Sequence, residues 1–136
     1  MSDASSTGAD FDHGEREALS AGYVWLVVDG QKYRTYYEVA GSGEVPLVLL
    51  HTASADSRQY RHLMNDESIL ERFTLYTFDM PWHGQTFPPL DTEWWTERYE
   101  LTTAFYAAFV MRFVEAMELE QPAVMGCSMG GAIALE

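Results

Sequence analysis

Residues 123–132 read Ala123-Val124-Met125-Gly126-Cys127-Ser128-Met129-Gly130-Gly131-Ala132. Three apolar residues run into a Gly-x-Ser-x-Gly pentapeptide, and small residues continue to Ala134. The apolar run suits a short buried strand, and the small residues suit a helix lying close against it. Between the two, glycines permit a sharp turn. The Ser128 hydroxyl is then exposed at the strand's C-terminal end, and the first N–H groups of the helix point to the same spot. A serine so placed is a candidate nucleophile; the competing reading is a plain glycine-rich strand–helix turn. Cys127, one residue before the apex, reads as a small buried thiol.

The sequence before this stretch alternates between strand and helix patterns. Tyr23–Asp29 is β-branched and aromatic, Asp29-Gly30 is a hairpin signal, and Lys32–Val39 alternates like a returning strand. Val45–Leu50 is a continuous apolar run, as expected of a strand covered on both faces. Residues 59–64 and 68–72 read as helical pieces with Asp66 as an N-cap, and Phe73–Phe78 as the next strand. Residues 80–90 hold three of the five prolines and read as a loop. From Glu93 to Glu118 the spacing predicts one long helix, with Trp95, Tyr99, Thr102, Phe105, Phe109, Phe113 and Met117 on one face. Residues 104–111 are apolar on nearly all sides and are expected to be covered by other protein. The order is a β-hairpin followed by alternating strands and helices. It specifies an α/β fold with parallel βαβαβ and helices on both sheet faces.

Length and composition narrow the function. At 136 residues the chain is one domain at most. Eight basic residues against 21 acidic ones give a net charge of −13, which repels phosphate and anionic lipid. Nucleic-acid and membrane partners are therefore not expected. One cysteine excludes an internal disulfide framework. The four histidines, His13, His51, His62 and His83, lack metal-ligand spacing, and no phosphate-binding Gly-Lys-Ser/Thr motif occurs, so no metal or cofactor is expected. Residues 1–20 read as a flexible acidic tail, with at most one helical turn near Glu15–Leu19, and 21–136 as the folded part. There is no secretory signal and no apolar run long enough to span a bilayer, so a cytoplasmic setting is expected.

From Tyr23 to Glu136 the chain resembles the α/β-hydrolase superfamily, on three motifs in the family's order. His51-Thr52 closes the 45–50 strand, where many members carry His-Gly. Asp79-Met80-Pro81-Trp82-His83-Gly84-Gln85-Thr86 follows the 73–78 strand, where members carry an Asp-x-Pro-Gly-x-Gly-x-Ser-like loop. The third motif is the turn at Ser128. The resemblance implies a sheet in which the 73–78 strand lies beside the hairpin and the 45–50 strand lies between it and the 122–126 strand. It implies an oxyanion hole formed by the N–H groups of Met129 and Ala53, with His51 and Thr52 supporting the loop. Asp79 is a structural loop residue by the same resemblance. Trp82, Trp94 and Trp95 are candidate walls of an apolar acyl pocket, although Trp95 fits a helix core face equally well.

In this family the catalytic acid and histidine follow the serine. Only eight residues follow Ser128, and none is His or Asp. The chain therefore reads as the N-terminal part of a hydrolase domain, truncated after the turn, with the C-terminal half of the fold absent and no activity of its own. The expected reaction is hydrolysis of a small carboxylic ester, lactone or related acyl compound through Ser128. The alternatives are C–C hydrolysis, haloperoxidase-like or lyase chemistry on the same scaffold, or a non-catalytic truncated or binding chain.

Overall fold

A computed structural model describes residues 16–136. In chain order the elements are β1 (Leu19–Val28), β2 (Gln31–Ala40), β3 (Val45–Leu50), α1 (Glu67–Leu70), β4 (Phe73–Phe78), α2 (Thr103–Ala116), β5 (Ala123–Gly126) and α3 (Met129–Ala134). Short 3-10 turns occupy Ser57–Tyr60, Leu63–Asn65 and Trp94–Thr96. The hairpin between β1 and β2 closes through Asp29 and Gly30, both at positive φ, as a two-residue turn of matching twist requires. The sheet order is β1-β2-β4-β3-β5. β2 pairs antiparallel with β1 and β4, and β3 runs parallel between β4 and β5. That is the order the resemblance implies. Strand β1 starts at Leu19, so Leu19 and Ser20, expected to lie in the acidic tail, pair with Ala40 and Val39 in the sheet. The tail's first 15 residues, and the start of the helical turn expected at Glu15, lie outside the described residues.

β3 is apolar throughout, and both faces of its second half, Val48–Leu50, are covered. Val48 and Leu50 join the core under α2 and α3, with Phe78, Tyr106, Phe109 and Phe113. Leu49 faces the other side, with Tyr60, Met64 and Leu75 beneath the 3-10 turns and α1. Asp66 caps α1 as expected, accepting from the Ser68 and Ile69 N–H groups.

The long helix is shorter than its periodicity suggests. α2 begins at Thr103, because the Thr102 side chain accepts from the Phe105 N–H and caps the helix there. Glu97 and Thr102 are extended. Trp95 and Tyr99 therefore fall off the helix, and Trp95 is 65% exposed. Within α2 the buried stripe is Tyr106, Phe109, Val110 and Phe113. Met111 and Ala104 face outward, so the segment 104–111 is covered on one side only. No helix among the described residues is long and apolar enough to cross a membrane.

If the Thr102 cap sets the start of α2, Thr102→Ala lowers unfolding stability by about 1 kcal/mol. Urea denaturation measures this, and an unchanged midpoint with unchanged slope would rule the cap out.

Candidate active site

The site is built where β3, β4 and β5 end. Gly126 and Gly130 allow α3 to fold back tightly on β5. A Cβ on Gly126 would collide with the Gly130 backbone, and a Cβ on Gly130 would collide with the Leu50 carbonyl at the end of β3. Ser128 lies between them at φ 53° and ψ −115°, a mirror-image extended conformation that L-residues rarely adopt. Holding a non-glycine residue there costs about 1–3 kcal/mol. Its side chain is exposed and makes no capping bond to α3. Cys127 is also exposed, contrary to the expected buried thiol; β5, which it follows, is the outermost strand and among the described residues pairs with β3 alone.

Two sets of backbone donors lie at this edge. After the serine, Gly130 N–H donates to the Cys127 carbonyl at 3.0 Å and Ala132 N–H to the Ser128 carbonyl at 3.0 Å. Met129 N–H has no partner among the described residues. In the loop after β3, Thr52 N–H donates to the Gln59 side-chain oxygen at 2.9 Å, and Ala55 N–H to the Thr52 carbonyl at 3.2 Å. Ala53 N–H is without a partner among the described residues. The structure thus occupies the donor of Thr52 and leaves that of Ala53 available. The left-handed residue of this loop is Ser54, at φ 61°, so a β-branched Thr52 suffers no positive-φ penalty.

Successive carbonyls at the end of β3 are each held by a buried side chain. Tyr60 donates to Leu50 O at 2.7 Å and Tyr106 to His51 O at 3.1 Å, from opposite sheet faces. Burial pushes both phenols up. His51 itself is fully buried. Its Nε2 accepts from the Met80 N–H at 3.0 Å, which leaves the ring proton on Nδ1 to donate to the Thr52 carbonyl at 2.8 Å. Burial, followed by the neighbouring His83 ring, pulls the imidazole below its ordinary value. His51 is therefore a neutral brace between two loops.

Asp79 is held in the same way. Its Oδ1 accepts from Ser57 N–H at 2.7 Å and its Oδ2 from Gln85 N–H at 2.8 Å, at 1% exposure. His83 bonds to the Pro81 carbonyl through Nδ1 at 2.9 Å and lies 5.0 Å from the His51 ring. His62 is exposed, and His13 lies outside the described residues. Trp82 and Trp94 line one cavity, whereas Trp95 does not; none of residues 51–54 or 126–130 is among its walls. Tyr60, Tyr106 and Gln59 do not stand out in the sequence. Tyr106 falls among core aromatics, and the separations of 10, 55 and 7 residues from their partners carry no local pattern.

Comparison with known proteins places this geometry. The family described as alpha/beta hydrolase fold matches residues 45–136. A Cupriavidus necator protein named as the dihydrolipoyllysine-residue acetyltransferase component of an acetoin cleaving system is 33% identical over 133 residues, covering 98% of this chain and 32% of that protein. Among solved structures, a thermophilic esterase from Thermogutta terrifontis superposes with a TM-score of 0.69 at 17% identity, covering 83% of this chain and 39% of that one. A bacterial membrane phospholipase A, described as a virulence factor, gives 0.67 at 25% identity, covering 85% and 34%. The chain thus spans about a third of the length of the relatives it matches.

Two measurements test this geometry. If Ser128 is strained, Ser128→Gly is more stable than Ser128→Ala by about 1 kcal/mol, because glycine relieves the positive φ while alanine keeps it; equal stabilities would refute the strain. For His51, the folded pKa lies below the unfolded value of about 6.5. The unfolded chain then takes up a proton that the folded chain refuses. Stability is complete above about pH 6.5 and falls as the pH drops toward the folded pKa. Urea midpoints should decline between about pH 7 and about pH 5 in the wild type and lose that component in His51→Gln. A flat wild-type profile would show that His51 is not held neutral.

Proposed function

This chain belongs to the alpha/beta hydrolase fold family, and on that premise we propose that it carries the nucleophile and oxyanion donors of a serine hydrolase acting on small carboxylic esters, lactones or related acyl compounds. The observation that carries the reading is the conformation of Ser128. A strained residue persists only where its surroundings over-determine it, and here the strain leaves the hydroxyl exposed at the head of a helix. Nothing in packing α3 on β5 requires a serine at that position, and a glycine would be less strained.

In the proposed reaction Ser128 Oγ attacks the acyl carbon and its proton passes to a general base. The tetrahedral oxygen gains negative charge, which the N–H groups of Met129 and Ala53 stabilise. Collapse expels the alcohol, which takes the proton back from the base. Water then attacks the acyl-serine by the same route, releasing the acid and restoring Ser128. Each oxyanion donor contributes about 3 kcal/mol to such a transition state. Gln59 supports the assignment by engaging the Thr52 N–H, and the ring bonds of His51 hold the loop that presents Ala53. His51 cannot itself be the base, because both its nitrogens are committed to backbone. The base and its orienting acid are proposed to come from outside these 136 residues.

Acyl transfer to an acceptor other than water is a second reading, favoured by the 33% identical relative named as an acetyltransferase component. It uses the same Ser128 and differs only in what attacks the acyl-enzyme.

With a histidine and acid supplied, Ser128→Ala abolishes labelling by a fluorophosphonate probe and lowers ester turnover by at least about 10⁴-fold, while Cys127→Ala leaves both. Labelling that survives Ser128→Ala would remove Ser128 from the role. Residues 1–136 alone should show no p-nitrophenyl acetate turnover that Ser128→Ala reduces.

A further inference from the structure

The segment between β4 and α2 leaves the sheet and folds over its edge beside the β1–β2 hairpin. Near its start stands Trp82, whose backbone is left-handed at φ 64°. For a bulky side chain that is an outlier, and glycine would adopt it freely. The indole is thus retained against backbone strain, and where it goes is informative. It lines a cavity of about 200 Å³, together with Tyr33, Trp94, Tyr99 and Phe105. The Trp82 and Tyr99 rings stand 4.9 Å apart between centroids at an interplanar angle of 54°, so they form a corner and not a stack. A single cation in such a corner can lie within about 6 Å of both rings.

The charges around the cavity have the matching sign. Glu97 and Glu100 are on its wall. Burial, then the fields of Asp29 and Glu97, push the Tyr33 phenol up. Arg98 also borders the cavity; its side chain is exposed and pairs with Glu100 at 3.7 Å, so the wall holds two carboxylates against one guanidinium. Among the described residues the guanidinium found over an aromatic ring is Arg34, on Tyr23, elsewhere on the hairpin. The rings of the cavity are therefore not used by the chain's own cations. The net charge of −13 adds a general attraction for positive ligands.

We propose that the cavity walled by Trp82, Trp94, Tyr99 and Tyr33 and bordered by Glu97 and Glu100 is a binding site for a small organic cation, of the quaternary or alkylated ammonium class. The volume is below the usual range of about 300–1,000 Å³ for drug-sized ligands and suits a compact head group. The aromatic walls accept a weakly hydrated cation, and the carboxylates supply charge without needing a hydrogen-bond donor from it.

The test is titration of the ¹⁵N-labelled chain with tetramethylammonium chloride at constant ionic strength, following the four indole N–H resonances. Saturable shifts of Trp82 and Trp94, with Trp25 unmoved, are expected. Neopentyl alcohol, a neutral molecule of similar shape, should bind at least about tenfold more weakly. Trp94→Leu, at a partly exposed position, should weaken binding about fivefold to thirtyfold, and Glu97→Gln about threefold. Arg98→Gln should strengthen it, because it removes a like charge from the rim. Absence of saturable shifts in the wild-type chain would overturn the proposal. So would equal affinity for the neutral molecule, which would make the cavity merely apolar, or unchanged affinity in both Trp94→Leu and Glu97→Gln.

Discussion

The end of β3 is the constraint on which the other features depend. Leu50 O, His51 O and Thr52 O each accept a bond from a side-chain ring: Tyr60, Tyr106 and His51 itself. A carbonyl leaving a sheet normally loses its ladder partner, and a buried one left unpaired costs free energy comparable to a lost hydrogen bond. Here the partners come from both sides of the sheet, so the loop leaves β3 in a defined direction. Gly130 then packs its backbone directly on Leu50. The helix bearing the Ser128 turn and the loop bearing Ala53 are thereby referenced to the same residue.

Three of the six described non-glycine residues at positive φ lie at this end of the sheet. Ser54, Trp82 and Ser128 all hold positive φ, and each follows one of the three strands that meet there. Such residues stay in place only when their neighbours fix them. Around Ser128 the neighbours are the glycine contacts to β3. Around Trp82 they include Tyr99 and the braced loop of Asp79, which two backbone N–H groups hold. The polar bracing and the strained residues are two parts of one arrangement.

Much of this was legible in the sequence because it is local. The Gly-x-Ser-x-Gly stretch, the apolar run of β3, the Asp29-Gly30 turn and the Asp66 cap each carry their cause within a few residues, and the strand order followed from the resemblance. The exceptions have physical reasons. Periodicity extended α2 back to Glu93, since aromatic residues at three- and four-residue steps look alike in a helix and in a coil that folds onto a cavity; the Thr102 cap decided between them. Cys127 was read as buried because a residue just before the apex points into the surroundings of the sheet, and here those surroundings belong to an outermost strand. Tyr60, Tyr106 and Gln59 were not visible, because a side chain gripping a backbone carbonyl or N–H leaves no signature at its partner's position.

The geometry also separates what these 136 residues hold from what proton transfer requires. Everything that sets the Ser128 conformation is local to β3, β5, α3 and the loops after β3 and β4: Gly126 against Gly130, Gly130 against Leu50, and the rings that hold Leu50 and His51. None of these contacts involves a group that could take the serine proton. A locked neutral His51 is a poor acceptor, since protonating it would break its bond to Met80 N–H and place a charge in a desolvated site. Positioning of the hydroxyl and activation of the hydroxyl are therefore independent problems in this fold. The first is solved by packing and backbone strain within the chain. The second can be met by a base arriving from elsewhere without disturbing the turn, which is the arrangement the proposed reaction uses.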